Sequence, residues 1–194
     1  MKRIGITGGI GAGKSIITDY LQKRCHCKIL QADILAWELE DKGGPCYGKL
    51  VSLLGDGILS EDGRIDKKIM GAMTFMDPKM TAKVNAIVHP VVKEAAEQEA
   101  LKAQQEGYEY FFFEAALMFE SGCDEILDEV WYIYAPKKER IKRLMKDRGY
   151  SRGKALSIMS RQLDYRAFAK KADRIIRNDA DVEEVYRQID KLLT

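Results

Sequence analysis

The segment from Gly8 to Ser15 has residue types and spacing that could bind the phosphates of a nucleotide. It reads GGIGAGKS and satisfies the Walker A pattern GxxxxGK[ST], in which glycines let backbone N–H groups curl around phosphate oxygens. Lys14 is expected to reach the β- and γ-phosphates, and the Ser15 hydroxyl to bind Mg²⁺. The predicted nucleotide-binding residues are Gly8, Gly9, Gly11, Ala12, Gly13, Lys14, Ser15 and Ile16. A chance glycine-rich turn is the alternative, and the lack of GxGxxG argues against a dinucleotide site.

Two carboxylates lie where apolar, strand-like runs end, Asp33 after residues 28–32 and Glu114 at the end of residues 108–114. Ligands bind at the carboxyl ends of parallel strands, so both carboxylates are expected to face the phosphate-binding loop. Asp33 is the candidate general base, because a hydroxyl that attacks the γ-phosphate needs an acceptor for its proton. Its alternative role is to cap the helix that begins near residue 34. Glu114 could hold Mg²⁺ through water, or could be an ordinary surface carboxylate.

Basic residues cluster between residues 137 and 154, and the apolar spacing there predicts a helix. The cluster is either a solvated helix face or a lid whose arginines neutralise charge on the transferred phosphoryl group. We favour the solvated face for the lysines. We favour the lid for the arginines, because a phosphotransferase needs cations opposite its phosphate loop. Arg143 is the catalytic candidate, Arg140 and Arg148 are candidates for binding ATP, and the lid is expected to span about residues 137–165.

Short apolar runs alternate with helical patterns along the chain, which predicts an α/β protein with a parallel sheet. The strands are expected at residues 3–7, 28–32, 108–114, 130–135 and 174–176. Helices at about 14–24 and 182–193 should cover this sheet. The stretch between the second and third strands is far longer than a typical crossover. We therefore expect a helical insertion at about residues 34–107 within one domain that spans residues 1–194.

The insertion carries two more specific expectations. Pro90 cannot donate a backbone hydrogen bond and disfavours helical geometry at His89, so a break or kink is expected there. A helix ending near Gly107 should follow. A methionine-rich helix is predicted from apolar residues at regular spacing, and such a helix is more typical of a core than of a ligand groove. Its residues are Ile65, Ile69, Met73 and Met76.

Composition argues against several classes of protein. The 194 residues are 46% hydrophobic and 32% charged, and no apolar run approaches the roughly 20 residues that cross a bilayer, so no membrane role is expected. The net charge of +2 gives no case for nucleic-acid binding. Scattered cysteines and the lack of a signal-peptide-like apolar core indicate a cytoplasmic protein. Cys25-His26-Cys27 lacks the two further ligands of a tetrahedral zinc site.

Five segments occur together in a characteristic order and spacing. They are ITGGIGAGKS, AD at 32–33, VNAIVHP at 84–90, LMFE at 117–120 and ADRIIRN at 172–178. With these segments, the chain resembles dephospho-CoA kinases over nearly its whole length. The resemblance implies a P-loop, nucleoside-kinase-like core of five parallel strands, a helical insertion that receives the coenzyme A moiety, and a mobile lid. It also implies transfer of the γ-phosphate of MgATP to the ribose 3′-hydroxyl of dephospho-CoA, with no obligatory protein partner.

The resemblance also implies roles for individual residues. Asp33 would lie beside the acceptor hydroxyl, and Asn178 towards the adenine. The acceptor site would be shaped by His89, Leu117, Phe119 and Glu120. The chain departs from the family at several positions: Gln31 and Ala116 replace an Asp and a Pro, Glu114 replaces a frequent Asp, and Asp147-Arg148-Gly149 replaces Arg-Asp-Gly.

Three other functions were weighed against this one. Another nucleoside or small-metabolite kinase would share the loop and lid but differ in the insertion. A GTPase-like switch would need a guanine-binding NKxD, which the sequence lacks. A non-catalytic nucleotide-binding module is compatible with the departures at Gln31 and Ala116.

Overall fold

A computed structural model describes residues 1–75 and 77–193. The chain divides into two compact units. The first consists of Met1–Ile29 and Lys102–Thr194, and the second of Leu30–Leu101.

Five strands form one sheet in the order β2-β3-β1-β4-β5. They are β1 (Lys2–Thr7), β2 (Cys27–Gln31), β3 (Tyr110–Glu114), β4 (Glu129–Tyr134) and β5 (Arg174–Arg177). Strand β1 pairs in parallel with β3 and β4, and β4 pairs in parallel with β5. The predicted α/β class and five-stranded parallel sheet are confirmed, with strand ends shifted by one or two residues. The largest consequence is at Ala32, which begins a helix and does not end β2.

Helices α1 (Lys14–Arg24) and α9 (Val182–Asp190) cover the sheet, as the sequence predicts. Their apolar side chains join one cluster with residues of the central strands, including the fully buried Phe112 and Trp131. Burial of each large apolar side chain contributes roughly 1.5–3 kcal/mol, so this cluster contributes strongly to the stability of the first unit. The start of α9 is fixed by Asp181, whose carboxylate accepts a hydrogen bond from the N–H of Glu184.

The second unit is helical, as predicted for the stretch between β2 and β3. It contains α2 (Ala32–Glu40), α3 (Tyr47–Leu54), α4 (Lys67–Phe75) and most of α5 (Pro78–Gln105). Glu40 is buried and forms an ion pair with Lys67, which ties α2 to α4. Among the described residues, no helix combines the length and apolar character needed to span a membrane.

The break expected at His89-Pro90 is wrong, because Pro90 lies inside α5, a helix of 28 residues. The alternative, a kink at this position, stays a prediction. Pro90 is exposed, whereas one stripe of the helix is buried both before and after it. The buried stripe comprises Val84, Val88, Val92, Ala96, Ala100 and Ala103. Packing along this stripe offsets the one backbone hydrogen bond that proline cannot donate, so tertiary contacts override the local preference.

The methionine-rich helix is also not the predicted core helix. Ile65 precedes α4 and forms a β-bridge with Leu59. The helix begins after Asp66, whose carboxylate accepts hydrogen bonds from the N–H groups of Lys68 and Ile69. Met70 is the buried residue of α4, while Ile69 and Met73 are exposed. Met76, the last residue of the predicted set, lies outside the described residues.

Three further helices complete the first unit. They are α6 (Lys137–Arg148), α7 (Arg152–Met159) and α8 (Tyr165–Lys171). Helix α8 is held against the sheet by Phe168, whose ring stacks on Tyr132 of β4 at 4.6 Å. This stretch contains the predicted lid, and its inner side contacts the loop between β1 and α1.

Candidate nucleotide-binding site

The loop between β1 and α1 needs glycine for two separate reasons. Gly13 has φ +93°, a left-handed conformation, and a Cβ there would lie 2.2 Å from the side-chain nitrogen of Asn178. At Gly9, a Cβ would lie 2.1 Å from a guanidinium nitrogen of Arg140. The first glycine permits the turn into α1, and the second leaves space for a cation beside the loop.

Lys14 begins α1 and folds back over the loop. Its ammonium donates a hydrogen bond to the carbonyl of Gly8 at 3.0 Å and lies 3.4 Å from the Glu114 carboxylate. Glu114 ends β3, the strand beside β1, so the sheet sets this pair. The predicted neighbourhood of Lys14, Glu114 and the loop is therefore present in the structure.

The first turn of α1 presents polar groups for an anion. The leading N–H groups of a helix have no partner within it, and they carry partial positive charge. Ser15 and Ile16 are exposed in this turn, whereas the N–H of Ala12 donates to Gly9 within the loop. The amides of this turn together with Lys14 form a site of the kind that binds phosphate.

Arg140 lies on the face of α6 that contacts the loop. Its Nε donates to the carbonyl of Ile10 at 2.8 Å, and its terminal nitrogen donates to the Gln162 side chain at 3.4 Å. Burial lowers the pKa of Arg140 from its ordinary value, but a guanidinium stays protonated at neutral pH. A partly buried positive charge is thus held by neutral acceptors.

Arg143 lies one turn further along the same face and joins the loop to the end of β5. It donates to the carbonyl of Ala12 at 3.2 Å and to the carbonyl of Asn178 at 3.0 Å. The buried Asn178 side chain donates to the same Ala12 carbonyl at 2.8 Å. Asn178 is therefore a bridge between the loop and Arg143, in addition to any contact with adenine.

These two arginines differ from three others in their partners. Arg24, Arg177 and Arg187 each pair with a carboxylate. Among residues 1–75 and 77–193, no carboxylate lies within ion-pair distance of Arg140 or Arg143. Buried charges are normally paired, so the arrangement suits an anionic ligand that supplies the missing negative charge.

Arg148, the third predicted lid arginine, lies elsewhere. It is the last residue of α6 and is exposed, and its side chain makes no hydrogen bond or ion pair within the described part of the chain. The structure thus brings Arg140 and Arg143 to the loop but not Arg148.

Gln162 is a site residue that sequence reasoning did not identify. It follows α7, and its side-chain oxygen accepts a hydrogen bond from the N–H of Ile10 at 2.8 Å. A lone glutamine in a polar turn matches no motif, and only the three-dimensional contact reveals it.

The predicted acceptor segment after β3 is partly structural. Phe119 is buried against Phe168, at a ring separation of 6.1 Å, and Lys171 lies over its ring. Leu117 and Glu120 are exposed and available to a ligand. The segment therefore anchors itself through Phe119 and presents its neighbours.

Two predicted site residues belong to the second unit. Asp33 is exposed in the first turn of α2, and the helix cap is Gln31, so Asp33 is not the N-cap. His89 is half-buried in α5, and burial lowers its pKa. A neutral imidazole at pH 7 can hydrogen-bond a ligand but cannot form an ion pair with phosphate.

The Cys25-His26-Cys27 run has a structural explanation. Both thiols lie within 3.5 Å of the Leu21 carbonyl, and His26 stacks on Tyr108 at 4.7 Å. Burial raises the pKa of Cys27 to about 12, which disfavours a thiolate ligand. No cluster of three or more metal-binding side chains occurs within the described residues.

Comparison with known proteins adds a family to this geometry. Residues 2–184 match the family model described as dephospho-CoA kinase. The dephospho-CoA kinase of Shouchella clausii is 32% identical over 187 residues, which cover 96% of this chain and 94% of that protein. The solved structure of dephospho-CoA kinase from Campylobacter jejuni is 28% identical, with a TM-score of 0.72, and the match covers 99% of this chain and 98% of that one.

A more distant structure shares the fold alone. Shikimate kinase from Acinetobacter baumannii is 13% identical with a TM-score of 0.58, and the match covers 100% of this chain and 93% of that one. The family match covers both the phosphate loop and the helical second unit. The chain therefore belongs to the dephospho-CoA kinase family.

Proposed function

We propose that this chain transfers the γ-phosphate of ATP to the ribose 3′-hydroxyl of dephospho-CoA, giving CoA and ADP. The observation that carries the proposal is the pair Arg140 and Arg143, two cations that contact the phosphate loop and whose hydrogen-bond partners within residues 1–75 and 77–193 are neutral. A triphosphate would supply negative charges that pair with these two cations. Family membership supports dephospho-CoA as the acceptor.

The nucleotide is held by the first unit. The exposed amides at the start of α1 bind phosphate oxygens, and Lys14 lies beside the β- and γ-phosphates. Arg140 and Arg143 neutralise charge that spreads over the transferred phosphoryl group, which stabilises the transition state. Arg143 is the catalytic arginine, and Asn178 supports it while facing the adenine side. Arg148 contributes to ATP binding only if the end of α6 turns towards the loop.

The residues present also suit Mg²⁺. Ser15 offers an exposed hydroxyl at the start of α1, and Glu114 offers a carboxylate at the end of β3. Mg²⁺ prefers oxygen ligands and is commonly held by one or two protein groups together with substrate phosphates. When bound, the ion neutralises charge on the β- and γ-phosphates. Ser15 and Glu114 are the residues that would hold it.

The acceptor is handled by other residues. Asp33 follows β2, which belongs to the same sheet as β1 and β3, and its exposed carboxylate is available to take the proton of the attacking hydroxyl. His89, Leu117, Phe119 and Glu120 shape the acceptor site, with His89 as a neutral hydrogen-bonding group. A metaphosphate-like transition state has little bonding to the nucleophile. The base therefore orients the attacking hydroxyl as much as it accepts the proton of that hydroxyl.

We also infer action in the cytoplasm without an obligatory protein partner. The support for the compartment is that Cys25, Cys27, Cys46 and Cys123 form no disulfide within the described residues, which fits a reducing environment.

An acceptor comparison tests the proposal. ADP release is measured with ATP and Mg²⁺ in the presence of dephospho-CoA, adenosine, shikimate or no acceptor. We expect release to depend on dephospho-CoA and CoA to form in equal amount. Preference for adenosine or shikimate would assign a different kinase activity. ADP release that does not depend on any acceptor would indicate hydrolysis alone, and binding of ATP without turnover would indicate a non-catalytic module.

A further inference from the structure

Gln162 lies where the predicted lid meets the phosphate loop, and the proposed mechanism gives it no role. Its side-chain oxygen accepts two hydrogen bonds, one from the N–H of Ile10 at 2.8 Å and one from Arg140 at 3.4 Å. Arg140 also donates through Nε to the carbonyl of Ile10 at 2.8 Å. The amide of Gln162, the guanidinium of Arg140 and the backbone of Ile10 therefore form a closed ring of hydrogen bonds.

This ring fixes the direction of Arg140. A long side chain with several rotatable bonds loses entropy when it is ordered, and two acceptors on different guanidinium nitrogens restrict it before any ligand arrives. Among the described residues, Arg140 donates through Nε to Ile10 and through one terminal nitrogen to Gln162. A guanidinium has five N–H donors, so others can bind an anion.

The chemical type of the acceptor matters as much as its position. Glutamine and glutamate have almost the same shape, and either could accept from Ile10 and Arg140. A carboxylate at this position would form an ion pair with Arg140 and satisfy its charge. An amide orients the guanidinium and leaves its charge available.

We propose that Gln162 is a positioning residue for ATP, which orients Arg140 towards the phosphates without neutralising it. This inference rests on the proposed use of ATP by Arg140. It assigns Gln162 a role through Arg140 and not through direct contact with the transferred phosphate.

Two substitutions separate positioning from simple structural support. Q162E keeps both accepting hydrogen bonds but adds charge, and Q162L removes the acceptor at similar size. We expect Q162E to keep the thermal stability of the wild type and to weaken MgATP binding by roughly tenfold or more, because it neutralises a charge-assisted contact. Q162L should weaken MgATP binding by a smaller factor, since Arg140 keeps its charge and one of its acceptors. A purely structural role predicts the reverse order, with Q162E close to wild type.

The measurement is the dissociation constant of MgATP by calorimetry, repeated in an Arg140→Ala background. If Gln162 acts through Arg140, Q162E and Q162L should each have little further effect once Arg140 is removed. An undiminished effect of Q162E in that background would show direct repulsion of ATP and overturn the proposal. Wild-type affinity in Q162E alone would overturn it as well.

Gln105 provides the matched control. It is exposed near the end of α5, so Gln105→Glu and Gln105→Leu make the same chemical changes away from the loop. Both should bind MgATP as the wild type does. Because binding is measured without acceptor, a failure of dephospho-CoA as substrate would leave this result unaffected, and the two proposals can fail separately.

Discussion

Both faces of α6 carry positive charge, but they differ in burial and in the partners of their charged groups. On the inner face, Arg140 and Arg143 are half-buried and bonded to loop carbonyls. On the outer face, Lys142 and Lys146 are exposed, and Lys142 pairs with Glu139 at 2.9 Å. The inner cations have neutral partners, whereas the outer ones lie in water, where charge is screened. Positive charge on a helix therefore indicates a phosphate site only where the charge is buried and lacks an acidic partner.

The packing of Leu144 determines which face of α6 lies towards the loop. Leu144 is the buried residue of α6, and it lies close enough to the loop that a Cβ on Gly11 would be 3.2 Å from its side chain. Residues 143 and 144 share a face of the helix with residue 140, because they follow it by three and four positions. Packing of Leu144 against the loop thus turns both arginines towards it.

Among the variants that test the two faces of α6, the largest expected effect comes from Arg140→Lys and Arg143→Lys on the inner face. Lysine keeps the positive charge but loses the planar fork that contacts two acceptors at once. We expect at least one variant to lose roughly 10²-fold or more in turnover, the scale found when one donor to a transition state is removed. Steady-state kinetics with dephospho-CoA measures it. Full activity in both variants would mean that Arg140 and Arg143 have only a structural role at the loop.

A smaller effect is expected for Asn178→Ala, which sharpens the comparison by leaving Arg143 in place. The variant removes the side-chain bridge to Ala12 and the side-chain oxygen that accepts from Arg143 at 3.4 Å, but keeps the backbone carbonyl that accepts from Arg143. Loss of hydrogen bonds beside a charged group costs about 1.5–3 kcal/mol, so KM for ATP should rise roughly tenfold.

The control for this variant is Gln188→Ala. Gln188 hydrogen-bonds the backbone of Arg177, the residue before Asn178, and does not bond the loop. Its loss should lower the thermal midpoint and leave KM for ATP unchanged. An equal rise in KM for Gln188→Ala would mean that Asn178 acts only by stabilising the end of β5.

The smallest effect is expected at the exposed cations of the outer face and of the end of α6. Lys142→Ala, Lys146→Ala and Arg148→Lys should keep turnover within about twofold of wild type and alter stability by under about 0.5 kcal/mol, as is usual for exposed sites. Thermal unfolding and kinetics measure both quantities. A strong loss in Arg148→Lys alone would show that the end of α6 moves to the phosphates during the reaction, and would break the division into two faces.

Sequence alone predicted the parts of the molecule whose physics is local. The loop pattern from Gly8 to Ser15, the apolar runs of the strands and the helical spacing of α1 and α9 each depend on neighbours along the chain. The sequence-based distinction between arginines and lysines agrees with their positions, since Arg140 and Arg143 contact the loop whereas Lys142 and Lys146 are exposed. That the two arginines bind the nucleotide stays a prediction, which rests on the better match of planar guanidinium groups to phosphate.

The remaining features depend on contacts between distant segments. Arg148 was grouped with the lid arginines because charge and spacing do not reveal which end of α6 meets the loop. Gln162 was not identified, since its partner Ile10 is 152 residues away. The continuous helix through Pro90 depends on a buried stripe whose packing outweighs a local preference. Each difference comes from tertiary contacts that the local sequence does not reveal.

Single-turnover transfer of isotopically labelled γ-phosphate from ATP to dephospho-CoA tests the central claim most directly. The account predicts that the label appears in a phosphate ester at the ribose 3′-hydroxyl in the wild type. In Asp33→Asn, transfer should be slower by roughly 10² to 10⁴, the range for loss of a positioned base, while ATP binding is retained. Label found only in inorganic phosphate, or on another hydroxyl of the acceptor, would contradict the account.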